Sequence, residues 1–180
     1  MSDFAKAIPI ILAHEGGEKF TVTPGDKGGA TRWGITLATL RSWRGKPTST
    51  ADVRDLTRGE AEKIYRARYW DACRCDEILD QDVATKLFDV AVNCGTSTAS
   101  RMAQRAALSV GAVCDVDGIV GPRSIEAING CEKDALLKAI CAHQRLHYEA
   151  IIAKDPTQAK FRKGWLTRAN WPHSPKGATT

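Results

Sequence analysis

The chain has 180 residues, 43% of them hydrophobic, which fits one globular domain or two small ones. Its formal charge of +5 suits an anionic polymer such as nucleic acid or bacterial cell wall, but the lysines and arginines are scattered, which argues against a dedicated nucleic-acid binder. No run approaches the roughly 18 apolar residues of a membrane span, so no membrane insertion is expected. The N-terminal apolar stretch from Ile8 to Ala13 is too short for a secretion signal and leads into His14 and Glu15, so synthesis and folding in the cytoplasm are expected.

The apolar spacing of Phe4, Ile8, Ile11 and Leu12 predicts a first helix from about Asp3 to Glu15, stopped by Gly16-Gly17. The Gly-, Thr- and Asp-rich stretch from Glu18 to Gly34 reads as a loop, or a small hairpin through Lys19 to Thr23. A short helix is expected from Thr36 to about Trp43, then a loop from Arg44 to Thr50. Thr57-Arg58-Gly59-Glu60 matches a capping box and opens a helix through Ile64, Tyr65 and Tyr69 to Trp70.

The next helix spans about Gln81 to Asn93, with Gly95 just past its end. Ser97 or Thr98 caps the one after it, which ends before Gly111. Asp115 to Gly121 is a turn, and Pro122 suits the first position of a short helix. The longest helix covers about Lys133 to Lys154, closed by Pro156, and Pro172 to Thr180 reads as a loose tail. The expected class is mainly α, with one small polar loop or hairpin region after the first helix. A boundary near Gly95 divides residues 1–94 from a second region, 95–171, packed on the first, with 172–180 as tail.

The six cysteines include one close pair, Cys73-x-Cys75, too tight for a zinc knuckle. Without a secretion signal the expectation is reduced, structural thiols. Asp115-x-Asp117-Gly118 resembles the start of a calcium loop, but Val113 and Ser124 fall where ligands would be needed. No metal or cofactor is expected.

Glu15 continues the apolar stripe of the first helix at its C-terminal end, where burial and the helix dipole both disfavour a negative charge. That is the setting of a general acid; the plainer alternative is a helix-end Glu turned toward water. Asp26 follows in the exposed turn Gly25-Asp26-Lys27-Gly28-Gly29, and Thr31 five residues later. Two carboxyl groups in unlike environments, with a hydroxyl to hold water, are what glycosidic hydrolysis uses. Alternatively, Asp26 only bonds its own turn. His14, adjacent to Glu15 on the helix, points away from it.

The strings Ile11-Leu12-Ala13-His14-Glu15-Gly16-Gly17, Gly25-Asp26-Lys27-Gly28-Gly29-Ala30-Thr31 and Gly34-Ile35-Thr36 resemble glycoside hydrolase family 108, the lysozyme-like N-acetylmuramidases of phage endolysins and secretion-linked loci. Tyr65 with Tyr69-Trp70, and Phe88 through Asp89 and Asn93 to Gly95, resemble later segments of that family. Asp117 to Pro122, Arg145 with Tyr148, and Phe161 through Gly164-Trp165 to Arg168 resemble its companion peptidoglycan-binding region.

The resemblance implies a lysozyme-like helical fold and hydrolysis of the β-1,4 bond between N-acetylmuramic acid and N-acetylglucosamine, with Glu15 as acid, Asp26 as second carboxylate and Thr31 assisting the water. It implies a monomer acting on peptidoglycan, stored in the host cytoplasm and reaching the wall after a holin opens the membrane. The family commonly has an aromatic residue where this chain has Glu18, and Phe20 is the candidate replacement. Trp33 and Tyr69 are candidate sugar-stacking residues, whereas Tyr65 and Trp70 suit core packing better. Asp89 and Asn93, four apart on one helix, are candidates for binding N-acetyl groups; Asn93 alternatively caps its helix. Two rival functions stand beside this: a lytic transglycosylase on the same glycan, and a non-catalytic wall-binding or secretion-helper protein.

Overall fold

A computed structural model describes residues 1–22 and 29–172. Among them the chain is mainly α, as expected, with nine α-helices and one three-stranded sheet. It divides into two compact units: Asp3–Trp70, and Met1–Ser2 with the chain from Asp71 onward. Gly95, the expected boundary, lies between two helices that pack together inside the second unit.

In the first unit, α1 spans Phe4–His14, with the Asp3 carboxylate accepting from the Ala5 N–H at 2.8 Å. Ala7, Ile8, Ile11 and Leu12 form its buried face. The helix ends in a Schellman motif: the Gly17 N–H donates to the Leu12 carbonyl at 2.8 Å and the Gly16 N–H to that of Ala13 at 3.3 Å. Gly16 takes φ +86°, a left-handed conformation that favours glycine. Glu15 is thereby fixed as the C-cap.

β1 (Thr21–Val22), β2 (Ala30–Arg32) and β3 (Ile35–Thr36) form an antiparallel sheet in that order. Thr21, Thr31 and Thr36 stand side by side across it. Of the expected Lys19 to Thr23 hairpin, Thr21-Val22 forms β1 of this meander, whose tight turn is Trp33-Gly34, and Thr23 lies outside the described residues.

α2 (Leu37–Arg44) is capped by Thr36, and α4 (Arg58–Tyr65) by Thr57, whose hydroxyl accepts from the Glu60 N–H at 3.2 Å. Glu60 does not reach back to complete the expected box. Its carboxylate is gripped by the Arg44 guanidinium at 2.8 and 2.9 Å, and Arg44 also holds Asp52 at 2.8 Å. Asp52 lies in α3 (Thr50–Arg54), a short helix that begins where a loop was expected and carries a capping box with Ser49. One arginine thus clamps α2, α3 and α4. After α4 the chain widens into one π turn, Arg66–Trp70, rather than continuing as an α-helix.

The second unit is built on α5 (Gln81–Cys94), buried continuously from Val83 to Ala91 and packed against α6 (Thr96–Ser109) and α8 (Lys133–Lys154). α6 starts one to two residues before the expected Ser97 or Thr98 cap, directly after Gly95. α7 (Pro122–Gly130) opens on its proline as predicted. α9 (Arg162–Asn170) was not anticipated; its apolar periodicity is weak because few of its residues face a core.

Two charged side chains with 0% exposure, Lys86 and Asp89, lie on α5. The Lys86 ammonium donates to the carbonyls of Arg168 and Ala169, at 3.2 and 3.1 Å, at the electronegative end of α9. The Arg168 guanidinium meets the Asp89 carboxylate at 2.9 Å. Desolvation lowers the Lys86 pKa, opposed by the nearby Cys141 thiol and Asp89. All six cysteines are free thiols, and burial pushes the Cys73 thiol up to about 11.

Replacing Arg168 by Met should destabilise the chain by about 3 kcal/mol, because Asp89 stays buried without its guanidinium; urea unfolding measures this. The Arg44 clamp should show in pH dependence. Glu60 is held below its usual range chiefly by its hydrogen bond to Arg44, and Asp52 below its own chiefly by the Ser49 hydroxyl, with Arg44 contributing. Lowered carboxylate pKa values stabilise the fold above the unfolded values, and that contribution is lost as pH falls through the folded ones. Arg44→Met should therefore lower the melting temperature at pH 7, and the deficit should shrink below about pH 4.

Candidate active site

Glu15, half-buried at the C-cap of α1, meets the tip of the β2–β3 hairpin. A Cβ built on Gly34 would lie 2.8 Å from Glu15 Cβ and 2.3 Å from the Tyr65 hydroxyl. No residue but glycine fits that position without displacing one of these groups. The turn has positive φ at both central residues, 53° at Trp33 and 72° at Gly34, the signature of a two-residue type I′ hairpin. Trp33 is the uncommon partner in such a turn, since a bulky residue there is strained. The Tyr65 hydroxyl donates to the Trp33 carbonyl at 3.0 Å and holds the turn in place.

Tyr69 stands four residues after Tyr65, in the π turn, with ring centroids 5.9 Å apart. Burial raises its phenol pKa, opposed by Arg68 and reinforced by the negative charge of Glu15. Tyr69 is therefore a neutral donor within the electrostatic reach of Glu15. The π turn is anchored to the start of α1 by an edge-on contact between Phe4 and Trp70, centroids 5.6 Å apart, with the Arg66 guanidinium over the Phe4 ring. Both ends of α1 are thus tied to the tyrosine-bearing segment.

Thr31 occupies the middle of β2. Its neighbour Arg32 points to the α3 side, where it donates to the Arg54 carbonyl and pairs with Glu18 at 2.7 Å. Strand alternation puts Thr31 on the opposite face, beside Thr21 and Thr36. Glu18, where an aromatic residue was expected, is an exposed salt-bridge partner. Phe20 lies under the Arg54 guanidinium, 5.4 Å from its ring centre, so that ring is engaged on α3. The Trp33 indole Nε1 is buried without a hydrogen-bond partner, which leaves a donor in the hairpin turn beside Glu15.

The structure therefore gathers Glu15, Trp33 and Tyr69, with Thr31 two residues before Trp33 on the same hairpin. Tyr65 is core, as the sequence suggested, 1% exposed with its hydroxyl holding the hairpin turn. The four-residue spacing of Tyr65 and Tyr69 was the signal for a shared face. Asp26 lies outside the described residues. Asp89 and Asn93 belong to the second unit. Asp89 is fully buried on Arg168, so in this structure it presents no surface to a sugar. Asn93 is exposed on its surface but its side-chain oxygen accepts from the Tyr148 hydroxyl at 2.7 Å, which Gln144 in turn approaches at 2.7 Å. Its side-chain oxygen also accepts from the Cys94 thiol, so it bonds side chains of its own unit. Among the described residues no three or more His, Cys, Asp or Glu side chains cluster to hold a metal, and no helix is long and apolar enough to cross a membrane.

Residues 8–95 match the family described as "Glycosyl hydrolase 108", and residues 98–170 match the "Predicted Peptidoglycan domain". A solved structure, that of Brucella abortus SagA, is 34% identical, with a TM-score of 0.75 over 93% of this chain and 89% of that one. No curated protein matches.

The contact at Gly34 is open to test. Gly34→Ala should cost about 1–3 kcal/mol through strain and collision and depress turnover of isolated cell-wall sacculi. Gly45→Ala, at a similar φ of 64° but with nothing within 4 Å of the new Cβ, should lose stability without the loss of turnover.

Proposed function

The chain belongs to glycosyl hydrolase family 108, a lysozyme-like glycoside hydrolase that acts on peptidoglycan, and on that premise we propose that it is an N-acetylmuramidase. The bond cleaved is the β-1,4 link between N-acetylmuramic acid and N-acetylglucosamine. The observation that carries this reading is the position of Glu15: a single carboxyl group, set by the Schellman end of α1 under a strained hairpin and beside a protonated tyrosine.

In this reading Glu15 gives its proton to the glycosidic oxygen as the bond to the muramic C1 breaks. Positive charge then spreads over C1 and the ring oxygen, and water adds to C1. Asp26, in the glycine-rich sequence Gly25-Asp26-Lys27-Gly28-Gly29, is the proposed second carboxylate. It stabilises the developing charge or accepts the water proton. Thr31, in the middle of β2, supplies the hydroxyl that orients the water. Trp33 and Tyr69 offer ring faces to the apolar side of a pyranose, and the unpartnered Trp33 N–H is a donor for an acetamido or hydroxyl oxygen. The proposed setting is an endolysin that reaches the wall from the cytoplasm through a holin-opened membrane. The union of glycan-cleaving and peptidoglycan-binding regions in one chain supports a lytic role.

Glu15→Gln should lower turnover of sacculi by roughly 10³-fold or more, the scale of losing a general acid, while its melting temperature stays near that of the parent. Mass spectrometry of the digest checks the bond: reducing muramic ends are expected. Anhydro-muramic ends would replace this reading with a lytic transglycosylase. Undiminished lysis of permeabilised Gram-negative cells by Glu15→Gln would remove Glu15 from the role of acid.

A further inference from the structure

A groove of about 480 Å³ opens between α6 and α8 in the second unit. Two i, i+4 pairs line it from facing helices: Arg101 and Arg105 on α6, His143 and His147 on α8. Met102 and Leu146 supply apolar wall between them, and no Asp or Glu is among the lining residues. The volume falls within the range of small-molecule sites.

The four nitrogen-bearing groups differ in what they can offer. Arg101 donates to the Val116 carbonyl at 2.8 Å, so part of its fork is committed to the fold. Arg105 is exposed and carries a permanent charge. Burial lowers both histidine pKa values, reinforced at His143 by the Arg105 charge. At neutral pH they are therefore uncharged imidazoles with one N–H each; that of His143 is given to the Arg105 backbone, whereas His147 can present its own to an acceptor. A cation would meet two guanidinium groups here, whereas an anion meets converging donors.

We propose that this groove binds a free carboxylate of the peptidoglycan stem peptide, with Arg105 and His147 as the principal contacts and Met102 and Leu146 against the peptide's aliphatic carbons. The inference rests on peptidoglycan being the polymer recognised, and it assigns the second unit to the peptide rather than to the sugar chain. Peptide carboxylates are the regularly repeated anions along the glycan, and a carboxylate matches a guanidinium fork in geometry as well as charge. A contact there would let the second unit hold the strand while the first cleaves it.

The test uses the full-length chain carrying Glu15→Gln, so that the ligand survives. Calorimetry is run with a soluble muramyl tripeptide, with the same tripeptide amidated at its carboxyl groups, and with inorganic phosphate. The acidic tripeptide should bind, the amidated form at least about tenfold more weakly. Arg105→Gln and His147→Gln should each weaken the acidic tripeptide by about tenfold with unchanged melting temperature. Equal binding of the two tripeptides, equal binding by the variants, or phosphate binding as tight as that of the tripeptide would overturn the assignment. Co-sedimentation with intact sacculi separates the two levels. If the Glu15→Gln parent does not sediment, the peptidoglycan reading itself fails; if parent and Arg105→Gln sediment alike, only the groove assignment fails.

Discussion

Three segments of the first unit meet at a point with no room for one carbon atom. The C-cap of α1, the tip of the β2–β3 hairpin and the end of α4 converge on Gly34, where a Cβ would overlap both Glu15 and Tyr65. The surrounding features follow from that closeness. The turn must be a two-residue one with positive φ, which puts the neighbouring Trp33 in a strained conformation. The Tyr65 hydroxyl offsets part of that strain by holding the Trp33 carbonyl. The Schellman end of α1 sets the direction of Glu15, because it fixes the backbone from Leu12 to Gly17. Chemistry that needs one carboxyl group held still is served by contacts this tight.

The π turn from Arg66 to Trp70 belongs to the same arrangement. Its wider turn stacks residues four to five apart, and here it carries Tyr69 beside Tyr65 while Trp70 anchors on Phe4. An irregular helix turn thus sets Tyr69 beside Tyr65, whose hydroxyl holds the hairpin turn. The second unit is organised by other means. Lys86 caps α9 from inside the core, and Asp89, three residues on, takes the arginine from that same helix. Buried charges of this kind are poor sources of net stability but strongly select one seating of α9 on α5. Gln104 acts similarly on the Asp117–Gly118 turn: its buried amide bonds Asp117, Ile119, Ser124 and the Gly118 N–H.

Much of the helical framework was legible because its signals are local. Gly16-Gly17 ends α1, Pro122 opens α7, and Thr57 caps α4, each through a backbone preference that needs no partner elsewhere. What was missed depended on distant residues. The Thr57 and Glu60 pattern promised a reciprocal box, but Glu60 found a stronger partner in Arg44, whose bidentate charge-assisted bonds outweigh a single backbone contact. The Ser49 and Asp52 box was present in the sequence and lay in what reads as a loop. Trp33-Gly34 lacks the Asn-Gly or Asp-Gly signal of a type I′ turn. Asp89 looked like a residue for sugar because its helical face was legible while its arginine, 79 residues away, was not.

The sequence by itself determined the class of fold and those helix ends that a glycine or a proline marks, and it singled out Glu15 as the candidate acid. These rest on periodicity, on glycine and proline geometry and on an ordered set of short strings, all of them properties of neighbouring residues. Only the tertiary structure decided that Gly34 lies against the Glu15 Cβ, that the Tyr65 hydroxyl holds the Trp33 carbonyl and that, in the second unit, Asp89 pairs with Arg168. Those outcomes are set by steric exclusion and by competition among charged partners far apart in the chain. Neither has a local signature.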